Sequence, residues 1–193
     1  MVGTMSNWLI ICYRVATEPS ALRVATWRAL KQMGAVKLGD GVYFLPNTPI
    51  FSGELEGLRA RIQSGGGSAL VVIADGLSEA DEVSLRAAFL AARSDEFQQV
   101  QRSAIRLVEH IAREEATDDY RFAEVDALEE ELEKVRRQFQ RATNRDHLGS
   151  PHRDDALCAV TEADRRLRAY LDEAFQRDAS PRAADSPSAA TPT

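Results

Sequence analysis

The stretch Ala35-Val-Lys-Leu-Gly-Asp-Gly-Val-Tyr-Phe-Leu-Pro46 decides the fold. Gly39-Asp40-Gly41 separates two short apolar-rich runs, Ala35–Leu38 and Val42–Leu45. Glycines on either side of an aspartate supply the left-handed backbone that a tight hairpin needs. Upstream, Trp8-Leu-Ile-Ile-Cys-Tyr13 reads as a buried strand, broken by Glu18-Pro19-Ser20. Ser20 can cap a helix over about 21–33. Three- and four-residue spacing puts Leu22, Thr26, Trp27, Leu30 and Met33 on its core side, and Gly34 closes it. Downstream, Pro46-Asn47-Thr48-Pro49 ends the second hairpin strand. A helix over roughly 50–63 follows, carrying Leu55, Leu58 and Ile62, then Gly65-Gly66-Gly67 and a fourth strand, Ala69–Ala74. The order β-α-β-β-α-β is that of a ferredoxin-like split unit: an α+β domain over 7–76, with both helices on one face of a four-stranded antiparallel sheet. The expected core is Trp8, Ile10, Leu30, Val42, Phe44, Leu58, Leu70 and Val72. The glycine run is a loop. A strand follows it rather than a helix, and it has no Lys-Ser/Thr pair to hold a phosphate.

A helical annex is expected over 78–177. Ser78 caps its first helix, Ser94-Asp95-Glu96 restarts or bends that helix, and Phe97, Val100, Ile105, Val108 and Ile111 carry it to about Glu115. Val125, Leu128, Leu132, Val135, Phe139 and Ala142 then form an unbroken heptad seam. Leu157, Val160, Asp164, Leu167, Leu171 and Ala174 repeat its spacing after a turn at His147–His152. The two segments are expected to form an antiparallel helical hairpin, packed together or against another subunit. Asp164 reads as a partly exposed seam position or as an ion pair with Lys134 or Arg136 across the hairpin, a functional aspartate being the minority reading. Residues 1–6 read as a flexible N-terminus. Residues 179–193, rich in Ala, Ser, Pro and Thr, read as a disordered tail.

The 193 residues are 44% hydrophobic and 28% charged, enough apolar material for a packed core. No apolar run reaches membrane-spanning length, and Met1–Asn7 lacks a secretory signature. Cys12 and Cys158 make neither a disulfide framework nor a zinc site, so a reducing cytoplasm is the expected home. The net charge of −6 argues against a chain that coats nucleic acid throughout. Yet residues 1–50 carry five basic residues against two acidic, so the acidic excess lies beyond them. Only Lys31, Lys37 and Lys134 are lysines. The remaining basic residues are arginines, whose planar fork suits phosphates and other oxyanions.

Catalysis has no local support. His110, His147 and His152 are scattered, Cys158 has no matched histidine, and no Gly-x-Ser-x-Gly elbow exists. No catalytic residue, metal ligand or cofactor site is therefore expected. For the arginine-rich helical stripe the ordinary reading is a solvated face that complements the helix C-terminus, and the surplus arginines keep an anion site open. Lys134, Arg137, Arg141 and Arg145 share one helical stripe; Glu130 and Glu133 stand four residues before the first two, and arginines stand before the others. Arg14, Arg23 and Arg28 likewise have no evident local acidic partner. The expected contacts to DNA or another anion are thus Arg14, Arg23, Arg28, Arg141 and Arg145.

Several of these stretches resemble one family. Trp8–Arg14, Glu18–Val24, Trp27–Ala35 and Asp40–Asn47 resemble the N-terminal domain of ChrB-type chromate-resistance proteins, as does Asn144-Arg-Asp-His-Leu-Gly149, where His147 and Leu148 replace aromatics. The resemblance covers about residues 7–176. It implies a cytoplasmic transcriptional regulatory protein that binds promoter DNA and responds to chromate or another oxyanion. Full-length relatives carry a second, C-terminal module, which is expected to be lacking after the tail. Strand one through Pro46 resembles more distantly the middle domain of phenylacetate-catabolon repressors and the small CRISPR integration endonuclease. In that endonuclease a strand-one aspartate serves metal chemistry; here Tyr13-Arg14-Val15-Ala16 supplies no acid. The alternatives are an oxyanion-binding or protein-partner adaptor without DNA contact and, disfavoured, a metal-dependent nuclease. A homodimer through the annex or a sheet edge is expected, because a two-helix hairpin alone leaves one face exposed.

Overall fold

A computed structural model describes residues 7–18, 20–118 and 120–179. The element order is β1 (Trp8–Arg14), α1 (Ser20–Met33), β2 (Val36–Gly39), β3 (Val42–Pro46), α2 (Pro49–Ser64), β4 (Ser68–Ala74), α3 (Glu79–Thr117), α4 (Phe122–Arg145) and α5 (Arg153–Ala179). The expected flexible N-terminus, the Ser20 cap and all but the first residue of the expected tail lie outside the described residues or side chains.

Two compact units result: residues 1–96 with 142–151, and residues 97–141 with 152–193. The first is built on an antiparallel sheet of order β2-β3-β1-β4, the expected ferredoxin-like arrangement. The hairpin forms around Gly41, whose φ of +72° needs glycine and whose carbonyl accepts from Tyr13 N at 2.7 Å. Lys37 Nζ meets Asp40 Oδ1 at 2.7 Å across the turn. Thr48 caps α2, its hydroxyl accepting from Phe51 N at 3.2 Å, and Pro49 fills the first turn where no N–H is needed.

Alternation sorts β1 into two faces. Leu9 and Ile11, with Leu45 of β3, are buried in one cluster with Leu30 and Met33 of α1 and Phe51, Leu55, Leu58 and Ile62 of α2. Trp8 stands on the other face with Phe44, ring edge to face at 5.3 Å, and meets Leu85 and Phe89 of α3 in the same core. Its Nε1 donates to Glu82 Oε2 at 2.7 Å. Burying each such aliphatic side chain contributes about 1.5–3 kcal/mol.

Two of the expected core residues are not buried. Leu70 is 57% and Val72 41% exposed, because they lie on the Trp8 face of edge strand β4, where α3 covers only the Trp8–Phe44 region. Ile10 and Val42 on that face are half-buried. Trp27 is also corrected: it is 49% exposed. Thr26, Leu30 and Met33 fall within about 60° of one another around α1, whereas Trp27 lies about 100° away from Thr26. The stripe buries the small threonine and turns the tryptophan outward.

The second unit is a bundle of α3, α4 and α5 segments. Helix α3 continues through Ser94-Asp95-Glu96, contrary to the expected restart, since nothing there removes a backbone donor and Arg93 and Glu96 pair within one turn. Phe97 packs against Phe139, and Tyr120 stacks on Tyr170 at 4.9 Å. Arg136 and Arg168 both pair with Asp164, the former across the expected antiparallel hairpin. The α4 seam is as expected. In α5 the buried line is Ala156, Val160, Ala163, Leu167, Tyr170 and Ala174, while Leu157 is exposed.

Candidate anion-binding face

Helix α1 contains no acidic residue. Arg23, Trp27 and Lys31 recur every four residues, and Arg28 adjoins them on the side away from Thr26 and Leu30. All four are exposed. Lys31 Nζ sits 5.1 Å from the centroid of the Trp27 ring, a cation–π geometry. A flat aromatic among three cations can stack on a planar anion-bearing group while the cations meet its phosphates. Arg14, exposed at the end of β1, adds a cation on the same unit. Among the described residues, no ion pair forms with Arg14, Arg23 or Arg28, so their charge faces solvent.

Arg145 requires a correction. It lacks an acid at helical spacing but not in space: its guanidinium lies 3.3 Å from Glu96 Oε2 and donates to the Lys31 carbonyl at 3.0 Å. Beside it, Arg93 donates to the Gly34 carbonyl at 2.9 Å and to Glu96 at 3.0 Å, with its guanidinium 4.9 Å from the centre of the Phe89 ring. Arg93 is 3% exposed, and burial pushes its pKa below the usual arginine value, against the opposing pull of Glu96. Two arginines thus close the C-terminal end of α1, where carbonyls lack helical partners and the dipole is negative. Gly34, at φ +76°, has no room for a side chain, since a Cβ would collide with both arginines. Arg141, exposed, belongs to the other unit and also has a partner.

The Asn144–Gly149 stretch builds this end of the fold. Asp146 accepts from Ser150 N through both oxygens at 2.9 and 3.0 Å, and Gly149 takes φ +75°. The His147 ring meets Phe51 edge-on at 4.7 Å, while Leu148 packs on the core. Its Arg-Asp pair therefore has structural partners. His147 and His152, which flank the turn, fall in different units. Tyr13 and Tyr43 stack at 6.1 Å. Burial first, and the neighbouring Tyr43 second, raise the Tyr13 phenol above its ordinary value.

The family described as Protein ChrB, N-terminal, matches residues 23–181. The chain belongs to the ChrB N-terminal family. Protein ChrB of Cupriavidus metallidurans is 32% identical over 82 residues, which are 42% of this chain and 25% of that protein. The chain therefore spans about a quarter of the length of the curated relative it matches. No solved structure matches it. Within the family match lie Arg23, Trp27, Arg28, Lys31, Arg93 and Arg145, so the ChrB-type domain includes both the exposed α1 face and the arginine pair closing the helix. Among the described residues no helix is long and apolar enough to cross a membrane.

Sequence reading misses two parts of this arrangement. Trp27 is assigned to the core, although helical arithmetic around Thr26, Leu30 and Met33 turns it outward. Arg93 attracts no attention, and only its place between apolar Phe89 and Phe97 hints at burial.

Proposed function

We propose that this ChrB-type domain is a cytoplasmic regulatory protein of chromate resistance that binds DNA through the outer face of α1. The observation that carries the reading is the acid-free α1 surface, where Arg23, Arg28 and Lys31 surround the half-exposed Trp27. Arg14 extends the contact set, and Arg141 adds a contact from the helical bundle. Arg145 acts on the site by holding α1 in place. Chromate or a related oxyanion is the signal class, since forked guanidinium groups suit tetrahedral oxyanions as they suit phosphates. Family membership supports the regulatory role, and Arg14, Arg23 and Arg28, which form no ion pair among the described residues, support an anionic partner. The missing acid at the end of β1 speaks against the nuclease alternative.

Titration of labelled promoter DNA at several salt concentrations tests the reading. Arg23→Ala/Arg28→Ala should reduce the slope of log affinity against log salt by about two units, close to one per lost phosphate contact. Arg14→Ala and Arg141→Ala, made separately, should each reduce it by about one. An unchanged slope removes these arginines from the interface. Absence of promoter binding by the unmodified chain refutes the DNA reading in favour of an adaptor.

A further inference from the structure

In the helical bundle, three carboxylates converge on one imidazole. His110 and Glu114 lie one turn apart on α3. Glu124 and Glu131 lie two turns apart on α4, which runs back along α3 after a short connection. His110 Nδ1 is 3.1 Å from Glu131 Oε2 in a hydrogen bond. The other ring nitrogen, Nε2, stands 3.5 Å from Glu114 Oε1 and 3.3 Å from Glu124 Oε1. His110, Glu114 and Glu124 are all half-buried, and their donor atoms lie within 4.8 Å of one another.

The two sides of the ring differ in kind. The Nδ1 side meets Glu131 in a hydrogen bond that holds the ring's orientation, and the Nε2 side faces Glu114 and Glu124. Nε2 stands from these two carboxylate oxygens at distances longer than a good N–H···O bond, which ends near 3.2 Å. Around a cation with ligands at about 2.1 Å, neighbouring donors stand about 3.0 Å apart in an octahedron and about 3.4 Å in a tetrahedron. The Nε2 spacings are close to those edges. Charge points the same way: among the described residues, each of the three carboxylates has His110 as its ion-pair partner and none has a lysine or arginine.

We propose that His110 Nε2, Glu114 and Glu124 form a binding site for a divalent first-row transition cation, with Glu131 as the residue that positions the imidazole. One nitrogen and two carboxylates suit manganese, iron or zinc, and three protein donors leave positions for water or an anion. The site lies in the bundle and does not depend on the DNA reading.

The test uses the full chain stripped with a chelator, then equilibrated separately with Mn²⁺ and Zn²⁺, bound metal being read by elemental analysis. One equivalent per chain is expected for at least one cation. Glu124→Gln should lose binding, and Glu131→Gln should weaken it by about 10- to 100-fold. Glu133→Gln, whose carboxylate pairs with Arg136 instead, should bind like the unmodified protein. Helical circular dichroism of each variant checks that it folds. Should Glu124→Gln fail to fold, X-ray absorption of the loaded unmodified protein decides: one imidazole among oxygen ligands supports the site. Sulfur ligation or two or more imidazoles overturns it. Failure to take up either cation, or full affinity in a folded Glu124→Gln protein, also overturns it, leaving a protonated histidine held by carboxylates.

Discussion

Replacing Arg93 by methionine probes the closure of α1 at its most buried charge. Methionine is similar in length and flexible enough to fill the same channel, so a cavity is not the main cost. What disappears is the charge-assisted bond to the Gly34 carbonyl at 2.9 Å, the bond to Glu96 at 3.0 Å and the cation over Phe89. A hydrogen bond from a charged group contributes about 1.5–3 kcal/mol, and removing one partner of a buried ion pair costs about 3–5 kcal/mol. Glu96 keeps Arg145 at 3.3 Å and is itself partly exposed, which places the loss near the lower end, about 3 kcal/mol. For a chain of this size that corresponds to a fall in Tm of about 6–12 °C. The assay is thermal unfolding followed by helical circular dichroism, repeated on Glu96→Gln and on the double variant. The two changes should not add, the coupling exceeding about 0.5 kcal/mol, because both act on one ion-pair cluster. A Tm within about 1 °C of the unmodified protein, or strict additivity, would refute the reasoning.

Gly34→Ala should destabilise by about 1–2 kcal/mol from the left-handed backbone alone, plus the displacement of two arginines. Gly57→Ala, in open space on α2, should instead raise stability by about 0.5–1 kcal/mol, and urea titration of both checks the contrast. With its raised pKa, Tyr13 keeps its proton in the folded chain after the unfolded chain has lost it. Its contribution is complete below the ordinary value of 10.0 and is lost as pH rises through the higher folded value. Ultraviolet titration should show a late tyrosinate component that Tyr13→Phe diminishes; an unchanged titration curve in Tyr13→Phe would contradict this. Light scattering should give a dimeric mass, and Val72→Lys on edge strand β4 a monomeric one; a monomer from the unmodified chain excludes the dimer.

The sheet was legible because its signals are local. Gly39-Asp40-Gly41 needs no distant residue to be a turn, and Thr48-Pro49 starts a helix by its own chemistry. Where partners lie far apart in sequence, the reading faltered. Glu96 and Arg145 meet through helix packing, so a spacing rule applied within α4 sees no acid for Arg145. In α5 the expected Val160, Leu167 and Ala174 are buried, whereas Ala156, Ala163 and Tyr170 take the places given to Leu157, Asp164 and Leu171. The sequence reading takes His110 as one of three scattered histidines and passes over Glu114 four residues on. Glu124 and Glu131 join them only once α4 turns back along α3.

Arg145 offers the sharpest separation between touching DNA and holding the helix proposed to touch it. A C-terminal helix end carries about half a negative elementary charge, which repels phosphate. In this chain Arg93 and Arg145 sit on the last carbonyls of α1, so the helix presents Arg23, Arg28 and Lys31 without that opposing charge. Arg145 is half-buried, and its guanidinium is already committed to Glu96 and to the Lys31 carbonyl. A residue so placed releases no counterion from DNA. Arg145→Ala should therefore lower stability and weaken binding, while leaving the salt slope within a few tenths of the unmodified value. Arg28→Ala should do the reverse: unchanged Tm, and a slope smaller by about one unit. Measured side by side, a full unit lost from the Arg145→Ala slope would make that residue a phosphate contact, and the assignment of the two arginines as structural would fall.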